Sequence, residues 1–231
     1  MILKRKKSIQ YAVLSILTIA LFLKTADCES PYDAAMQLLS KMKQANSAVV
    51  DLRCNFTMEI TKNKKRLPTQ RMIFRYKARP ETIHLTFLEP HKGRKVLYVR
   101  GDKKMKVRPG GFWSFTTVKI DPNSERGMEG GIDPITAQGF PQIVSAVERL
   151  LKNSTGDPAD SVAIEEKKLE GSRNCIQLTI HSGDLEKYEL LVDSSTHFPV
   201  RIIKQIREGS AVYSYENIEM NPNMPESEFK L

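Results

Sequence analysis

The chain has 231 residues, of which 40% are hydrophobic and 27% are charged, and its formal net charge is +9. This length is enough for one domain with a substantial core or for two small domains, and the hydrophobic fraction excludes an intrinsically disordered chain. Without residues 1–28 the chain keeps 31 basic and 26 acidic residues, and a net charge of +5 is below the charge density of nucleic-acid-binding proteins. The composition therefore predicts a folded protein with no nucleic-acid partner.

The first 28 residues have the pattern of a secretory signal peptide. A basic stretch, Lys4–Lys7, precedes an apolar run, Ile9–Leu23, that is short for a membrane-spanning helix. We therefore predict that residues 1–28 are removed on export and that residues 29–231 form a single periplasmic domain. The alternatives are an N-terminal anchor that stays in the inner membrane and a chain that is lipidated at Cys28.

Two cysteines remain in the exported chain, Cys54 and Cys175. An oxidising compartment allows them to form a disulfide, which would close a long loop. The alternative is a pair of buried free thiols, because cysteine behaves as a small hydrophobic residue.

The first predicted elements of the exported chain are a helix and a strand. Apolar residues recur on one side of residues 31–45, which predicts an amphipathic helix with Pro31 in its first turn. Residues 52–61 alternate apolar and polar side chains, as a half-buried strand does. The basic residues 62–66 form the predicted turn that follows.

Residues 72–115 have the pattern of several short antiparallel strands. Ile83, Leu85 and Phe87, for example, alternate with polar neighbours, so one face of each strand is apolar and the other is polar and basic. Proline and glycine residues separate the strands. Connections this short favour antiparallel over parallel pairing.

A second helix and a second run of strands complete the predicted domain. Residues 141–153 carry apolar side chains at three- and four-residue spacing, and Pro141 suits the start of a helix. Phe229 is expected to act as a plug in a closing turn. Five further strands are predicted at residues 162–169, 175–181, 187–193, 200–207 and 211–220. The predicted fold class is therefore α+β.

The sequence shows no motif of catalysis or metal binding. The four histidines, His84, His91, His181 and His197, fall on different predicted elements without the spacing of a ligand cluster. Neither a nucleophile elbow nor a phosphate-binding loop occurs. We therefore predict a protein that is not an enzyme and that uses no metal or cofactor.

Positive charge is concentrated in two of the predicted turns. Lys64, Lys65 and Arg66 occupy one turn, and Lys92 and Arg94 occupy another. We interpret these residues as contacts for anionic lipid head groups, because each Lys or Arg near such a surface contributes about 1 kcal/mol. The alternative is a set of ordinary solvated loops.

The apolar face of the predicted sheet is large for two helices to cover. The helices and the sheet form either a dry core or an incompletely filled half-barrel that contains an apolar cavity. Methionine suits such a cavity because its flexible side chain adapts to variable ligands. The methionines predicted to face inward are Met42, Met58, Met72 and Met105.

Two segments and the C-terminus carry a family resemblance. They are FLEPHKGRKVLY at residues 87–98, DPITAQG at residues 133–139, and the ending NPNMPESEF at residues 221–229. The chain resembles the LolA/LolB-like outer-membrane lipoprotein carriers, and most closely the bacterial domain-of-unknown-function family 1571. The resemblance implies a single antiparallel sheet, curved into an unclosed half-barrel, with helices on its concave face and an interior that takes acyl chains.

These observations predict a periplasmic protein that binds or carries lipid acyl chains or lipidated proteins in the bacterial cell envelope. The alternative is a non-catalytic structural or interaction module of the envelope with a filled core. The expected partners are a lipid or lipidated protein and an inner- or outer-membrane surface. The residues predicted to line the cavity are Phe56, Met58, Phe74, Tyr76, Leu85, Phe87, Trp113, Phe115, Ile143 and Val147. The residues predicted for the lid loop are Ile135, Thr136, Gly139 and Phe140.

Overall fold

The computed structural model describes residues 30–128, 131–153, 161–169, 173–182, 185–207 and 209–231. The predicted signal peptide, its cleavage site and Cys28 lie outside these residues. Within the described part of the chain, no helix has the length and apolarity needed to cross a membrane.

Three α-helices are described, and two of them carry the apolar stripe that the sequence predicts. In α1, Pro31–Ser47, the buried residues are Ala35, Leu38, Leu39 and Met42. A single short turn, Glu125–Met128, forms α2. The third helix, α3, spans Phe140–Asn153 and buries residues at three- and four-residue spacing. These buried residues of α3 are Phe140, Ile143, Val144, Val147 and Leu151.

Twelve strands are described, and they form one sheet. The first seven are β1 Asp51–Lys62, β2 Lys65–Arg66, β3 Gln70–Ala78, β4 Glu81–Glu89, β5 Lys95–Val99, β6 Met105–Arg108 and β7 Val118–Ile120. The other five are β8 Val162–Leu169, β9 Arg173–Ser182, β10 Leu185–Asp193, β11 Pro199–Ile206 and β12 Gly209–Met220. Single 3-10 turns lie at Gly111–Trp113, Ile135–Ala137 and Glu226–Phe229.

The sheet is antiparallel throughout and does not close. Its strand order is β7-β6-β5-β4-β3-β1-β12-β11-β10-β9-β8, and β2 pairs with β1. Each run of strands is a meander, and the long β1–β12 pairing joins the two runs, with Phe56 opposite Tyr215. Strands β7 and β8 stand at the two edges of the sheet. The predicted α+β class with one unclosed antiparallel sheet is therefore confirmed.

Both long helices pack on the same face of the sheet. On β1 the side chains of Leu52, Cys54 and Phe56 are buried while those of Arg53 and Asn55 are exposed, as the alternation predicts. Helix α3 packs against α1 and β9. An aromatic cluster joins helix to sheet, and its ring contacts are Phe140 with Phe74, Phe140 with Tyr215, Phe140 with Phe198 and Phe56 with Tyr215.

The last eleven residues form a segment on the opposite face of the sheet, which we call the C-terminal strap (residues 221–231). The amide N–H of Met224 donates to Asp51 Oδ2 at 2.6 Å, and Glu228 pairs with Arg75 at 2.7 Å. Phe229 is buried and Lys77 Nζ lies 5.9 Å from its ring centroid. The strap therefore closes the chain over β3 and β4.

Cys54 and Cys175 are both free and buried. Cys54 belongs to the main core on the helix-covered face, whereas Cys175 belongs to a small separate cluster with Leu191 and Val200. The disulfide that the sequence left open does not form, because the two thiols lie in different apolar clusters.

Candidate functional site

The two halves of the concave face are covered by different parts of the chain. Helices α1 and α3 cover the half near β8 and β9. The half near β3–β7 is covered by a segment without long helices, residues 121–128 and 131–138, which we call the cover segment. Between the cover segment and the sheet lies a cavity of about 160 Å³.

The cavity wall is mainly apolar, and four of its residues are methionines. Strands β1 and β3–β7 supply most of the wall, and the cover segment supplies Met128 and Ile135. The apolar wall residues are Phe56, Met58, Met72, Leu85, Phe87, Val96, Met105, Val107, Pro109, Val118, Ile120, Met128 and Ile135. The polar side chains in the wall are Gln70, Arg94, Arg126, Asp133 and Gln138. The apolar part of this wall is chemically suited to hydrocarbon and not to a charged group.

One anchor of the cover segment is Asp133. Its Oδ2 accepts hydrogen bonds from Lys204 Nζ on β11 and from the hydroxyl of Tyr213 on β12, both at 2.7 Å. Lys204 also lies over the rings of Tyr188 and Tyr213, 5.8 and 5.7 Å from their centroids. Burial, with a further contribution from the Asp133 carboxylate, raises the pKa of Tyr213. Tyr213 therefore stays a hydrogen-bond donor to Asp133 at physiological pH.

A second anchor holds the end of the cover segment to β4. Arg100 Nη1 donates to the carbonyl of Thr136 at 2.8 Å, and its Nη2 donates to Glu81 Oε1 at 2.7 Å. The same carboxylate oxygen accepts from Gln142 Nε2 on α3 at 3.0 Å. Burial raises the pKa of nearby Tyr76 to about 12, with Glu81 adding to the rise and Arg100 opposing it. The two anchors fix the position of the segment 133–139, one of the two segments that carry the resemblance.

A second, more polar cavity of about 280 Å³ lies on the other side of Asp133 and Gln138, which contribute to both cavities. Its wall combines α3 with strands β10–β12, through Gln142, Arg149, Tyr188 and Lys204 among others. Asp133 and its partners therefore lie between the apolar cavity and a more polar one.

The structure brings together four of the ten residues predicted to line the cavity. Phe56, Met58, Leu85 and Phe87 line it, as does Ile135 of the predicted lid loop. Phe74, Tyr76 and Val147 are buried in the core and are not part of the cavity wall, and Ile143 lines the second cavity instead. The helix that carries Ile143 and Val147 packs against α1 and β9, and the cavity is covered by residues of the cover segment instead.

The structure places several other predicted residues outside the cavity. Trp113 and Phe115 are exposed rather than in the cavity, because the 3-10 turn at residues 111–113 carries them out of the sheet. Phe140 is a core residue, and Gly139 precedes α3 with a φ of +103° that suits glycine. Of the predicted inward methionines, Met58, Met72 and Met105 line the cavity, whereas Met42 is buried on α1.

The basic residues lie at one end of the sheet. Successive strands from β1 to β7 are antiparallel, so the connections at residues 62–65, 90–94 and 109–117 all leave the sheet at the same end, which we call the basic end. Arg66 pairs with Glu59 at 2.5 Å, and the Arg94 guanidinium lies 5.3 Å from the ring centroid of Phe87 at the cavity wall. Lys64, Lys65 and Lys92 are exposed there.

Several residues of the cavity wall could not be predicted from the sequence. Val96, Val107, Val118 and Ile120 lie on strands of three to five residues, where alternation is too brief to show which face is apolar. Met128 ends α2, a single helical turn next to several glycines, which is too short to show an apolar periodicity. Among the described residues, no group of three or more His, Cys, Asp or Glu side chains is placed to hold a metal ion.

An open antiparallel sheet with helices and a cavity on one face defines the fold of this protein as an unclosed half-barrel. Residues 49–231 match the model of the family described as protein of unknown function (DUF1571), and the chain belongs to that family. Among curated proteins, none is similar in sequence to this chain.

Solved structures with a similar fold are distant in sequence. An uncharacterized conserved protein from Thermus thermophilus is 11% identical with a TM-score of 0.51, and the match covers 86% of this chain and 93% of that one. The lipoprotein LppX from Mycobacterium tuberculosis is 10% identical with a TM-score of 0.49, over 82% and 96% of the two chains. A LolA superfamily protein from Nitrosomonas europaea is 13% identical with a TM-score of 0.42, over 85% and 97%.

Proposed function

We propose that this protein binds lipid acyl chains, free or on a lipidated protein, and carries them in the bacterial cell envelope. The observation that supports the proposal is the apolar cavity between the cover segment and β3–β7. Its ligand is hydrocarbon, since the wall offers methionine, phenylalanine and valine side chains and little that would pair with a charge at its centre.

The size of the cavity sets what it can hold in the observed conformation. An engineered apolar cavity of about 150 Å³ in another protein binds benzene. A cavity of about 160 Å³ therefore takes the terminal six or so carbons of a chain, and each methylene removed from water contributes about 0.8 kcal/mol. A longer chain requires the methionines to change rotamer and the cover segment to move outward, which breaks the polar anchors at Asp133 and Arg100.

The five predicted head-group residues, Lys64, Lys65, Arg66, Lys92 and Arg94, remain a proposal within this function. They lie at the basic end, and Arg94 is both a wall residue and a cation. In this proposal an acyl chain enters beside Arg94, and its anionic head group stays among the exposed lysines. Export, with removal of residues 1–28, is part of the same proposal and is tested by fractionation and N-terminal sequencing of the protein from cells.

The experiment is a fluorescence titration with cis-parinaric acid, an eighteen-carbon fatty acid. Val107 lines the cavity, whereas Val99 on β5 is half-buried outside the cavity wall. We expect Val107→Phe to weaken binding at least tenfold because the ring occupies the cavity, and we expect Val99→Phe to leave it unchanged. Wild-type protein that takes up no fatty acid, or two variants with equal affinity, would overturn the proposal.

The second candidate is an interaction module of the envelope with a filled core. It is favoured by the helix-covered half of the concave face, where Val147 and Leu190 are fully buried. In this case the unpaired edges at β7 and β8 are the surfaces that a partner strand would extend. Failure of the fatty-acid titration in the wild-type protein would favour this candidate.

A further inference from the structure

Three large aromatic side chains are exposed together in the connection between β6 and β7. Phe112, Trp113 and Phe115 are 83%, 61% and 72% exposed. Their ring centroids lie 5.6 to 6.3 Å from one another. We call residues 112–115 the aromatic tip. Contiguous exposed apolar groups of this kind mark interaction surfaces in soluble proteins.

Close packing and a hydrogen bond at the base of the aromatic tip fix its conformation. Pro109 is part of the cavity wall, and a Cβ at Gly110 would lie 2.2 Å from the carbonyl oxygen of Lys92 and 2.9 Å from the amide of Arg94. Only glycine allows the connection to pack so closely on the neighbouring turn. Thr116 donates from its hydroxyl to the carbonyl of Trp113 at 2.9 Å, which closes the turn. The rings are therefore presented outward by a packed loop.

The surroundings of the tip are positively charged. No acidic residue occurs between Asp102 and Asp121. The tip leaves the sheet at the basic end, the same end as the turns that carry Lys64, Lys65 and Lys92. Arg108 ends β6 directly before the loop. Aromatic rings beside exposed cations complement the interface of a bilayer that contains anionic lipids, where rings enter the head-group region and cations meet phosphates.

We propose that the aromatic tip inserts into the surface of an anionic lipid bilayer and places the part of the cavity wall at Val107, Pro109 and Val118 next to it. The purpose of such docking rests on the proposed acyl-chain binding, while the insertion itself does not require it. Val107 and Val118, which flank the loop on β6 and β7, line the cavity. A chain leaving the bilayer beside the tip therefore reaches the cavity wall without crossing the polar face of the sheet.

Trp113 is the only tryptophan in the chain, so its fluorescence reports on the tip alone. The probe is a vesicle of phosphatidylcholine with 30% phosphatidylglycerol, compared with pure phosphatidylcholine, and the protein is the full chain. We expect a blue shift of Trp113 emission on the anionic vesicles and quenching by phospholipids with brominated acyl chains. Emission that stays unchanged on anionic vesicles would overturn the proposal, as expected if the tip binds a protein partner instead.

Two variants separate the contributions of rings and charges. Phe112→Ser with Phe115→Ser keeps the reporter and is expected to abolish the quenching, whereas Met220→Ser, an exposed residue at the opposite end of the sheet, is the matched control and leaves it intact. Lys92→Gln should weaken binding to anionic vesicles about fivefold. Equal quenching in the tip variant and the control would contradict insertion.

The test is independent of the proposed function. The tip variant should still bind cis-parinaric acid in the absence of vesicles, because Phe112 and Phe115 do not line the cavity. Loss of vesicle insertion with intact fatty-acid binding shows that the tip alone has been disabled. If the wild-type protein inserts into vesicles but binds no fatty acid, the proposed acyl-chain binding is wrong and the proposed membrane insertion is still supported.

Discussion

Asp133 and Lys204 join the cover segment to strand β11 through a hydrogen bond of 2.7 Å between Oδ2 and Nζ. Both side chains are largely buried, and the aromatic rings of Tyr188 and Tyr213 surround the lysine. A charge pair in such a place is costly to break, because the remaining partner stays desolvated. The outward movement of the cover segment that the proposed binding of longer acyl chains requires would have to break this pair.

The first prediction concerns this pair. Asp133→Asn leaves Lys204 without its carboxylate and should lower the free energy of unfolding by about 2 kcal/mol in urea titrations. It should also raise the association rate of cis-parinaric acid, because the cover segment opens more often. The matched control is Glu219→Gln, which breaks an exposed pair with Arg53 and should change stability by less than about 1 kcal/mol. Equal effects of the two variants would show that Asp133 is not an anchor.

A second prediction follows from His84 on β4, which is only 2% exposed. Neither ring nitrogen finds a hydrogen-bond partner among the described residues. Burial, together with smaller contributions from the nearby cations Arg75 and Lys95, lowers the pKa of His84 to about 4. Glu228 of the C-terminal strap pairs with Arg75, which is one of the cations close to His84.

The direction in which stability changes with pH follows from the protonation of His84 in the folded and unfolded states. Between pH 6.5 and pH 4 the unfolded chain binds a proton at His84 and the folded chain does not, so stability falls as the pH falls through this window. The loss by pH 4 is on the order of 3 kcal/mol. His84→Leu should remove this part of the pH dependence in urea titrations at pH 7 and pH 4.5, while His91→Asn, at an exposed position, should keep it. A Leu variant with the wild-type slope would refute the assignment.

The third prediction concerns the two cysteines. Burial raises the pKa of the thiols of both Cys54 and Cys175, and Asp193 adds to the rise at Cys175 while Arg173 opposes it. A buried thiol that stays protonated is a poor nucleophile. Iodoacetamide at pH 8 should therefore leave both residues unmodified in the folded protein and modify both in urea, as peptide mass spectrometry can show. A peptide pair linked through Cys54 and Cys175 before reduction would contradict the structure.

Much of the sheet could be predicted because its longer strands have clear alternation. Strands β1, β3 and β4 are nine to twelve residues long and place apolar residues at every second position of their central parts, so a one-residue shift would expose the whole apolar set. The two long helices carry stripes that must be buried. These local patterns fix which face of each element is inside, and the short turns fix the antiparallel order.

The site itself depended on contacts between residues far apart in sequence. Asp133 and Lys204 are 71 positions apart, and nothing local to either residue signals that they meet. The sequence predicts that Trp113 and Phe115 line the cavity, whereas packing of Gly110 on the neighbouring turn directs them outward. Which half of the sheet α3 covers likewise depends on its packing with α1.

The last prediction concerns the C-terminal strap. Phe229 is buried against the face of the sheet that the helices leave uncovered, with Lys77 over its ring and the Arg75–Glu228 pair beside it. Phe229→Ala removes most of this apolar contact and should lower the free energy of unfolding by about 3 kcal/mol. Lys230→Ala changes an exposed neighbour and should stay within about 0.5 kcal/mol of the wild-type protein.

In the Phe229→Ala variant, the C-terminal strap should also exchange its amide hydrogens faster. Without the ring of Phe229, amide hydrogens near Met224, whose N–H is held by Asp51, should exchange faster than those of β1 in the same variant. Hydrogen exchange with mass spectrometry measures this difference directly. If Phe229→Ala lowered stability while the strap kept its protection, the side chain would be stabilising the sheet without holding the strap, and the closing function assigned to Phe229 would be wrong.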